Sequence, residues 1–159
     1  MSDLISDGKT KVIWLASISS QSAPPAPELN AAPDITGRIT PDGLKIDPDT
    51  ASVDTNSLAS RFDTAEPGRV KYDIEVTCKR GTTPQEDLPW RTLTYGTHGY
   101  LGVRRGIDYE IAFAPGQEIE VYPVACGEPA SAPPAANEVS KFTSKMMLTN
   151  APQTRAVVA

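Results

Sequence analysis

The chain has 159 residues, of which 39% are hydrophobic and 22% charged, a composition typical of one folded domain rather than a disordered chain. Its net charge of −5 argues against a sequence-specific nucleic-acid reader, because such proteins are usually basic. The 15 prolines and 11 glycines indicate that many segments are turns or loops.

The first predicted element is a strand over 11–17. Successive side chains of a strand point to opposite faces, so Val12 and Trp14 would share one face, with Ile13 and Leu15 on the other. Core packing explains Trp14 better than a role as an interface anchor, because large aromatic side chains bury so much area.

The segment 19–33 follows and is rich in serine, alanine and proline, with little periodicity. Long structureless loops are uncommon in compact domains and are usually functional or disordered. After it, strands over 35–40 and 44–46 flank Pro41-Asp42-Gly43. Proline fixes its φ, aspartate closes a turn and glycine accepts a positive φ, so we predict a hairpin at this triplet.

The clearest pattern in the chain is the alternation over 70–79. Apolar residues occupy the even positions from Val70 to Cys78, and charged or polar residues occupy the odd positions from Lys71 to Lys79. One face of this strand would be core and the other wet, which is typical of an antiparallel sheet.

The second half of the chain continues this β-rich pattern. A helix is predicted with Asp87 as its N-terminal cap, Pro89 in its first turn, Trp90 and Leu93 facing the sheet, and an end before Gly96. Further strands are predicted over 99–104, 109–114, 118–124 and 139–149, with a Pro/Ala-rich linker over 128–137 between the last two. The apolar tail is expected to dock on its own sheet or on a neighbour.

The fold class predicted from these elements is mainly β: an antiparallel β-sandwich or barrel with one flanking α-helix. We expect a single domain over 1–159, with a long loop at 19–33, the linker at 128–137 and a C-terminal arm at 150–159.

Signals for catalysis, cofactor binding or metal binding are missing from the sequence. His98 has no recognisable partner nucleophile or carboxylate, and the acidic run from Asp47 does not fit a calcium loop. Cys78 and Cys126 match no metal-ligand spacing, and Cys78 falls on the apolar face of its strand, so a buried free thiol is expected.

The sequence has two further features, short basic pairs and an early apolar run. The basic pairs Lys79-Arg80 and Arg104-Arg105 are interpreted as solvated strand ends, although phosphate or a partner carboxylate could also meet them. The early apolar run over 12–16 is too short for a signal peptide or membrane span, so we expect a protein made in a cytoplasm, with no membrane partner.

Several stretches of the sequence carry a family resemblance. They are ITPDGLKIDPDTASVDT at 39–55, LASRFDT at 58–64, EPGR at 66–69, YDIEVTCKR at 72–80, GYLGVRRG at 99–106, EIEVYPV at 118–124, and APPAANEV at 132–139 leading into KFT at 141–143. This text resembles the tail tube (major tail) proteins of actinobacterial siphophages, which are bacteriophages with long non-contractile tails.

The resemblance implies a structural virion subunit and no enzyme or cofactor. Such subunits form six-membered rings that stack into a hollow tube, with inner sheets joined into one barrel and double-stranded DNA passing through the bore. Long loops and terminal arms reach adjacent rings. The implied partners are copies of the chain itself and the tail terminator, tape measure and baseplate proteins, assembled in the bacterial host cytoplasm.

With that resemblance, the strand pattern suggests site residues. We expect Lys71, Asp73 and Glu75 to face the lumen of the tube, on the polar side of their strand. The residues expected to make contacts between subunits or rings are Pro24, Pro25, Leu29, Val157 and Val158.

Two other function classes fit the sequence less well. A monomeric immunoglobulin-like module for binding or capsid decoration has the same length and strand content, but the chain lacks the expected Cys–Trp–Cys spacing. A small β-barrel enzyme is the weakest hypothesis, because paired histidine and carboxylate signals are missing.

Overall fold

The computed structural model of the chain describes residues 2–159 and is dominated by strands. In chain order the elements are β1 (Thr10–Leu15), α1 (Ala26–Ala31), a 3₁₀ turn (Thr36–Arg38), β2 (Ile39–Asp54), β3 (Ala65–Lys79), α2 (Leu88–Thr92), β4 (His98–Arg105), β5 (Glu118–Cys126), β6 (Ala130–Ser131), β7 (Lys141–Leu148) and β8 (Gln153–Val157).

All eight strands belong to one antiparallel sheet. Its order is β1-β4-β5-β7-β3-β2, with β6 paired to β7 and β8 paired to β5. The prediction of a mainly β antiparallel fold with little helix is confirmed. The strands predicted at 11–17, 70–79, 99–104, 118–124 and 139–149 all form, within a few residues of the expected bounds.

The sheet curls around a first core. Strands from distant positions in the sheet, such as β1 and β3, contribute buried side chains to the same cluster, including Val12, Trp14, Ile74 and Val76. A flat sheet could not bring these strands together, so the sheet must fold over on itself. As the alternation of β1 predicts, Ile13 and Leu15 point to the opposite face.

A second core lies on that opposite face. Leu29 of α1 is 1% exposed there and packs with Ile119 of β5 and Ala156 of β8. The segment 19–33, predicted to lack structure, therefore contains a short helix whose apolar residues are core. The C-terminal arm, left open between two docking sites, pairs with its own sheet, with Ile119 opposite Ala156.

The hairpin predicted around Pro41-Asp42-Gly43 is wrong. The backbone continues through this triplet as β2, and the irregularity is a bulge: Ile39 faces Cys78, while Leu44 faces Val76. Gly43 does not have a positive φ. It is required by space, because a Cβ there would clash with the Thr40 hydroxyl and the Thr77 carbonyl oxygen.

The strand predicted over 109–114 is also wrong, and the buried side chain of Arg104 explains why. This guanidinium is fully buried and donates hydrogen bonds of 2.9 Å and 2.7 Å to the carbonyl oxygens of Asp108 and Ile111. It also reaches the Ala112 carbonyl and lies 4.8 Å from the centre of the Phe113 ring. Carbonyl oxygens of this segment accept their hydrogen bonds from the Arg104 side chain instead of from a neighbouring strand. Arg104 is therefore not a solvated strand end.

The predicted helix exists as α2, with its N-terminus at Asp87. Leu93 is buried in the first core, and the Trp90 ring meets Phe142 edge-on at 5.1 Å, as the predicted facing requires. The Asp87 carboxylate makes no capping bond. It accepts hydrogen bonds from Arg80 and from the Gly81 amide instead. Arg80 is therefore also not a solvated strand end.

Candidate assembly surfaces

One broad polar surface is formed by the sides of β2, β3 and β7 that point away from the first core; we call it the outer face. The Lys45 ammonium lies 2.9 Å from the Asp73 carboxylate across β2 and β3. The hydroxyls of Thr77 and Thr143 meet at 3.0 Å across β3 and β7. These contacts show that three neighbouring strands present one continuous polar wall.

The charges of the outer face nearly balance. Its lysines are Lys45, Lys71, Lys79, Lys141 and Lys145, and its carboxylates are Asp47, Asp49, Asp73 and Glu75. The hydrogen bond from Lys45 holds the pKa of Asp73 below its usual value, and the same bond raises the pKa of Lys45. The acidity of the whole chain therefore comes mainly from other parts of the molecule.

The three residues predicted to face a lumen lie together on this outer face. Lys71 is opposite Asp49, Asp73 is opposite Asp47, and Glu75 is flanked by Lys45 and Lys145. The alternation of β3 therefore places them as expected relative to the core. Whether this face lines a bore stays a prediction.

The two long edges of the sheet differ. The outer edge of β1 is covered by the chain itself, because the Trp14 amide donates to the Pro33 carbonyl at 3.0 Å and the Ile35 amide donates to the Val12 carbonyl at 3.1 Å. The Thr36 hydroxyl also accepts from the Val12 amide at 2.8 Å. Within residues 2–159, β2 pairs with β3 alone, so its other edge is open. Native sheets seldom leave a long edge open unless something covers it.

Pro48 shows which backbone groups of β2 point to the open edge. Proline has no N–H to donate, so in a paired strand its nitrogen faces away from the partner. Pro48 lies directly opposite Tyr72 in the β2–β3 register. Residues of the same parity, such as Ile46 and Thr50, therefore turn their N–H and C=O groups outward as well.

The hairpin formed by β2 and β3 extends beyond the rest of the fold. β7 contacts β3 only from Ile74 onward, so the stretch 51–68 has no third strand beside it, and almost every residue in it is exposed. We call this stretch the hairpin tip. Its loop is closed by the Thr55 amide, which donates to the Thr64 carbonyl at 3.2 Å, and by a 2.8 Å bond between their hydroxyls.

Two large apolar side chains are fully presented at the hairpin tip. Leu58 is 107% exposed and Phe62 is 83% exposed. Both are isolated apolar residues in a polar, turn-rich stretch of sequence, and this pattern could have indicated that they are exposed. Their exposure follows from the long hairpin, which the residue pattern did not predict.

The residues predicted to make contacts between subunits differ in their exposure. Leu29 and Val158 lie in the second core, and Pro24 is also buried. Pro25 is half-buried and Val157 is 45% exposed. Pro25 and Val157 therefore keep accessible surface, and their contact with a neighbour stays a prediction.

No catalytic or metal-binding arrangement is found in the described part of the chain. His98 is exposed at the start of β4. No group of three or more histidine, cysteine or acidic residues within 2–159 is placed to hold a metal ion. Both cysteines are buried as free thiols, and burial raises the pKa of Cys78 to about 12, so its thiol is not a nucleophile near neutral pH. No helix in this range is apolar and long enough to cross a membrane.

Comparison with solved structures finds the same fold in tail assemblies. The tail of an empty gene transfer agent (GTA) particle, described as having C6 symmetry, aligns with a TM-score of 0.56 and 14% identity, covering 94% of this chain and 96% of that chain. A chain of the native GTA virion aligns with a TM-score of 0.54 and 14% identity, covering 80% and 89%.

A chain from the six-fold symmetrised baseplate of the anti-feeding prophage aligns with a TM-score of 0.53 and 12% identity, covering 94% of this chain and 95% of that chain. None of the curated proteins matches the chain in sequence.

The family comparison covers the whole length of the chain. The model of the family described as "Phage tail tube protein" matches residues 1–159, including the long hairpin, the outer face and both cores. The chain belongs to the phage tail tube protein family and is a tail tube subunit.

Proposed function

We propose that this subunit forms six-membered rings that stack into the hollow tube of a long, non-contractile tail, as in actinobacterial siphophages. The six-fold symmetry is supported by the structural neighbours, since the GTA tail is described with C6 symmetry and the prophage baseplate as six-fold symmetrised. The siphophage assignment rests on the text resemblance of the stretches between 39 and 143.

The observation that carries the proposal is the open edge of β2. The opposite edge of the sheet, at β1, is hydrogen-bonded to residues 33–36 and is closed to a partner. β2 offers outward N–H and C=O groups along up to 16 residues. A neighbouring subunit that adds a strand here extends the sheet, and a ring of such contacts leaves no exposed edge.

The outer face lines the bore in this arrangement. A strand with an apolar side and a charged side suits a tube wall that has a protein core behind it and water in front. Three outer-face lysines lie beside carboxylates across the sheet: Lys45 beside Asp73, Lys71 beside Asp49 and Lys145 beside Glu75. Lys79 and Lys141 lie opposite each other. These carboxylates compete with phosphates for the lysines, so double-stranded DNA can pass without being held.

The remaining features of the role rest on the sequence resemblance. The whole chain acts as one unit, and its work is structural, without an enzymatic reaction or a cofactor. Its partners besides itself are the tail terminator, tape measure and baseplate proteins. It is made and assembled in the bacterial host cytoplasm and ends in the tail of the virion.

Negative-stain electron microscopy over a concentration series tests the proposal. We expect rings or hollow tubes of the purified chain, or tubes when an initiator complex from the tail is added. Isolated small particles under both conditions would instead indicate a monomeric binding or decoration module.

Two variants at Thr50 test the role of the β2 edge. Thr50→Pro removes one outward-facing N–H without touching the pairing with β3, and Thr50→Ala keeps that N–H. We expect both to fold with the wild-type circular dichroism spectrum, but only Thr50→Ala to form rings. Normal rings from Thr50→Pro would show that the open edge is not the ring contact.

A further inference from the structure

Two lysines face each other at one end of the outer face; we call them the lysine pair. Lys79 ends β3 and Lys141 begins β7, and the strand register places them directly opposite. The Arg80 amide donates to the Ser140 carbonyl at 2.8 Å, so the next position along the strands is a hydrogen-bonded pair. The lysines therefore occupy a non-hydrogen-bonded position, where opposite side chains come closest and Cα atoms are about 4.5 Å apart.

The lysine pair lacks the compensating carboxylates that the other outer-face lysines have. Within residues 2–159, Lys79 forms no salt bridge. Lys141 has Glu138 at 4.0 Å, and the Glu138 side chain is 54% exposed, so this contact contributes little. The Arg38 guanidinium adds a further cation at this end of β3, where it donates to the Arg80 carbonyl at 2.9 Å.

Repulsion within the lysine pair sets this end of the outer face apart. Like charges directly opposite each other destabilise a sheet, and an anionic partner would remove that cost. The next pair along the same face is uncharged, because the hydroxyls of Thr77 and Thr143 bond to each other at 3.0 Å. The balanced charges begin beyond it, and Lys71 lies about 26 Å from Lys79 along β3 at about 3.3 Å per residue. The unbalanced positive charge is therefore confined to one level of the wall.

We propose that the lysine pair contacts the phosphates of double-stranded DNA in the bore. This inference rests on the proposed function, which places the outer face in the bore, and it identifies the level of each ring at which DNA meets the wall. Copies of the pair around the ring form a narrow collar of cations. Duplex DNA fits such a collar, because it presents one negative charge about every 1.7 Å along its axis.

The chemistry of the collar suits a passing contact. A lysine ammonium is a compact charge on a flexible stem, so it can follow successive phosphates without a fixed geometry. Phosphate contacts carry no sequence information, so every part of a genome would meet the collar in the same way. The wall between two collars carries lysines that are already paired with carboxylates, as Lys45 is with Asp73. DNA is therefore slowed at each collar without being held between collars.

The rate of DNA release from phage particles at two salt concentrations tests this contact. Lys79→Gln with Lys141→Gln removes both cations and keeps side chains of similar polarity. At about 0.05 M salt we expect this variant to release DNA about two- to threefold faster than wild type, and at about 0.5 M the difference should disappear, because salt screens contacts between lysine and phosphate. The matched control is Arg91→Gln with Arg155→Gln, which makes the same change in net charge at exposed positions outside β2, β3 and β7.

The outcomes separate this inference from the proposed function. Normal tubes with wild-type release rates in the lysine variant, or an equal acceleration in the control, would overturn the DNA contact and leave the tube assignment intact. A shorter delay before DNA appears, followed by an unchanged rate, would assign the lysine pair to a component that leaves the bore before the DNA, and would also overturn it. Failure of the wild-type chain to form rings or tubes under any condition would overturn both.

Urea unfolding of the unassembled chain gives an independent readout. Lys79→Gln relieves the repulsion across β3 and β7, so its urea midpoint should be higher than that of the wild-type chain. Lys79→Arg keeps the charge and should match wild type in both midpoint and release rate. A lower midpoint for Lys79→Gln would show that the lysine contributes to stability, and would contradict the proposal. If the double glutamine variant does not assemble, Lys79→Gln alone takes its place in the release experiment, with a smaller acceleration expected.

Discussion

The guanidinium of Arg80 makes two hydrogen bonds to the carboxylate of Asp87, of 2.8 Å and 3.0 Å, while it lies 4.0 Å above the ring of Trp90. Trp90 in turn packs edge-on against Phe142 of β7. This chain of contacts fastens the short helix α2 to the sheet. A five-residue helix is too short to be stable by itself, so its position depends on these contacts.

Replacement of Asp87 by asparagine should weaken the protein and change its response to acid. Arg80 holds the pKa of Asp87 below its ordinary value of 3.8. The stabilisation by this ion pair is therefore fully present above about pH 4 and is lost as the pH falls through the lower folded-state pKa. We expect Asp87→Asn to lower the unfolding free energy by about 1–2 kcal/mol at pH 7.

Chemical denaturation between pH 7 and pH 2 measures this effect. The wild-type chain should lose more stability than Asp87→Asn below pH 4, so that the two curves approach each other. Glu86→Gln, at a neighbouring exposed carboxylate, is the matched control. Parallel curves for wild type and Asp87→Asn would contradict the assignment.

Arg104 should resist replacement even by lysine. Its two terminal nitrogens donate to the carbonyl oxygens of Asp108, Ile111 and Ala112 and to the Gln117 side chain. A lysine ammonium cannot reproduce this planar set of bonds, and carbonyl oxygens of the segment would lose their hydrogen-bond donors. We expect Arg104→Lys to cost about 2–4 kcal/mol of unfolding free energy.

The exposed neighbour Arg105 provides the control for Arg104. Arg105 contacts Glu120 at 2.7 Å near the surface, so Arg105→Lys should change the unfolding free energy by less than about 1 kcal/mol. Thermal or urea unfolding compares the two variants. Equal effects would mean that the buried bonds of Arg104 contribute little.

The segment 19–33 cannot be deleted without damage to the core. Leu29 is buried in the second core, and the Pro33 carbonyl accepts a hydrogen bond from Trp14. We expect Leu29→Ala to lower the unfolding free energy by about 2–4 kcal/mol, measured by urea unfolding. Pro27→Ala, at an exposed position of the same helix, should leave stability within about 0.5 kcal/mol; a similar loss from both would contradict the packing role.

Charge reversal of the outer face should impair DNA ejection. Asp73→Lys with Glu75→Lys leaves only Asp47 and Asp49 as carboxylates on this wall, so repeated subunits would present a strongly basic bore that retains DNA. We expect tubes to form but a smaller fraction of phage particles to release their DNA. Ejection triggered in vitro, followed with a DNA-binding dye, measures that fraction.

A control with the same change in net charge separates the effect of the outer face from the effect of net charge alone. Glu86→Lys with Glu128→Lys alters two exposed carboxylates that belong to none of the strands β2, β3 and β7. Ejection should be normal in this control. Normal ejection from the Asp73→Lys, Glu75→Lys phage as well would show that these residues do not line the lumen.

Much of the fold could be predicted because periodicity reports local geometry. The alternation around Ile74 gave the strand, its core face and its polar face, and the alternation of β1 gave two faces that both proved to be buried. The helix at Asp87 followed from its proline and the spacing of its apolar residues.

The errors came from places where a tertiary contact overrides the local sequence signal. Pro41-Asp42-Gly43 has the residues of a turn, but Gly43 is needed because Thr77 of the neighbouring strand approaches too closely for a side chain. Residues 109–114 look like a strand, but the carbonyl oxygens of Ile111 and Ala112, which a neighbouring strand would bind, accept hydrogen bonds from Arg104. Thr77 is distant from Gly43 in the sequence, and the residue pattern of 109–114 does not show that a nearby arginine will take up its carbonyl oxygens.

The placement of Pro48 has a consequence for how two copies can meet. If two subunits paired through the same β2 edge, they would form a closed two-fold dimer that cannot grow further. Each strand would then bring a proline to the contact, and the pairing would lose one donor from each copy. The sequence thereby disfavours a dead-end dimer and favours pairing of this edge with a different strand of a neighbour, which is the kind of contact that can close a ring.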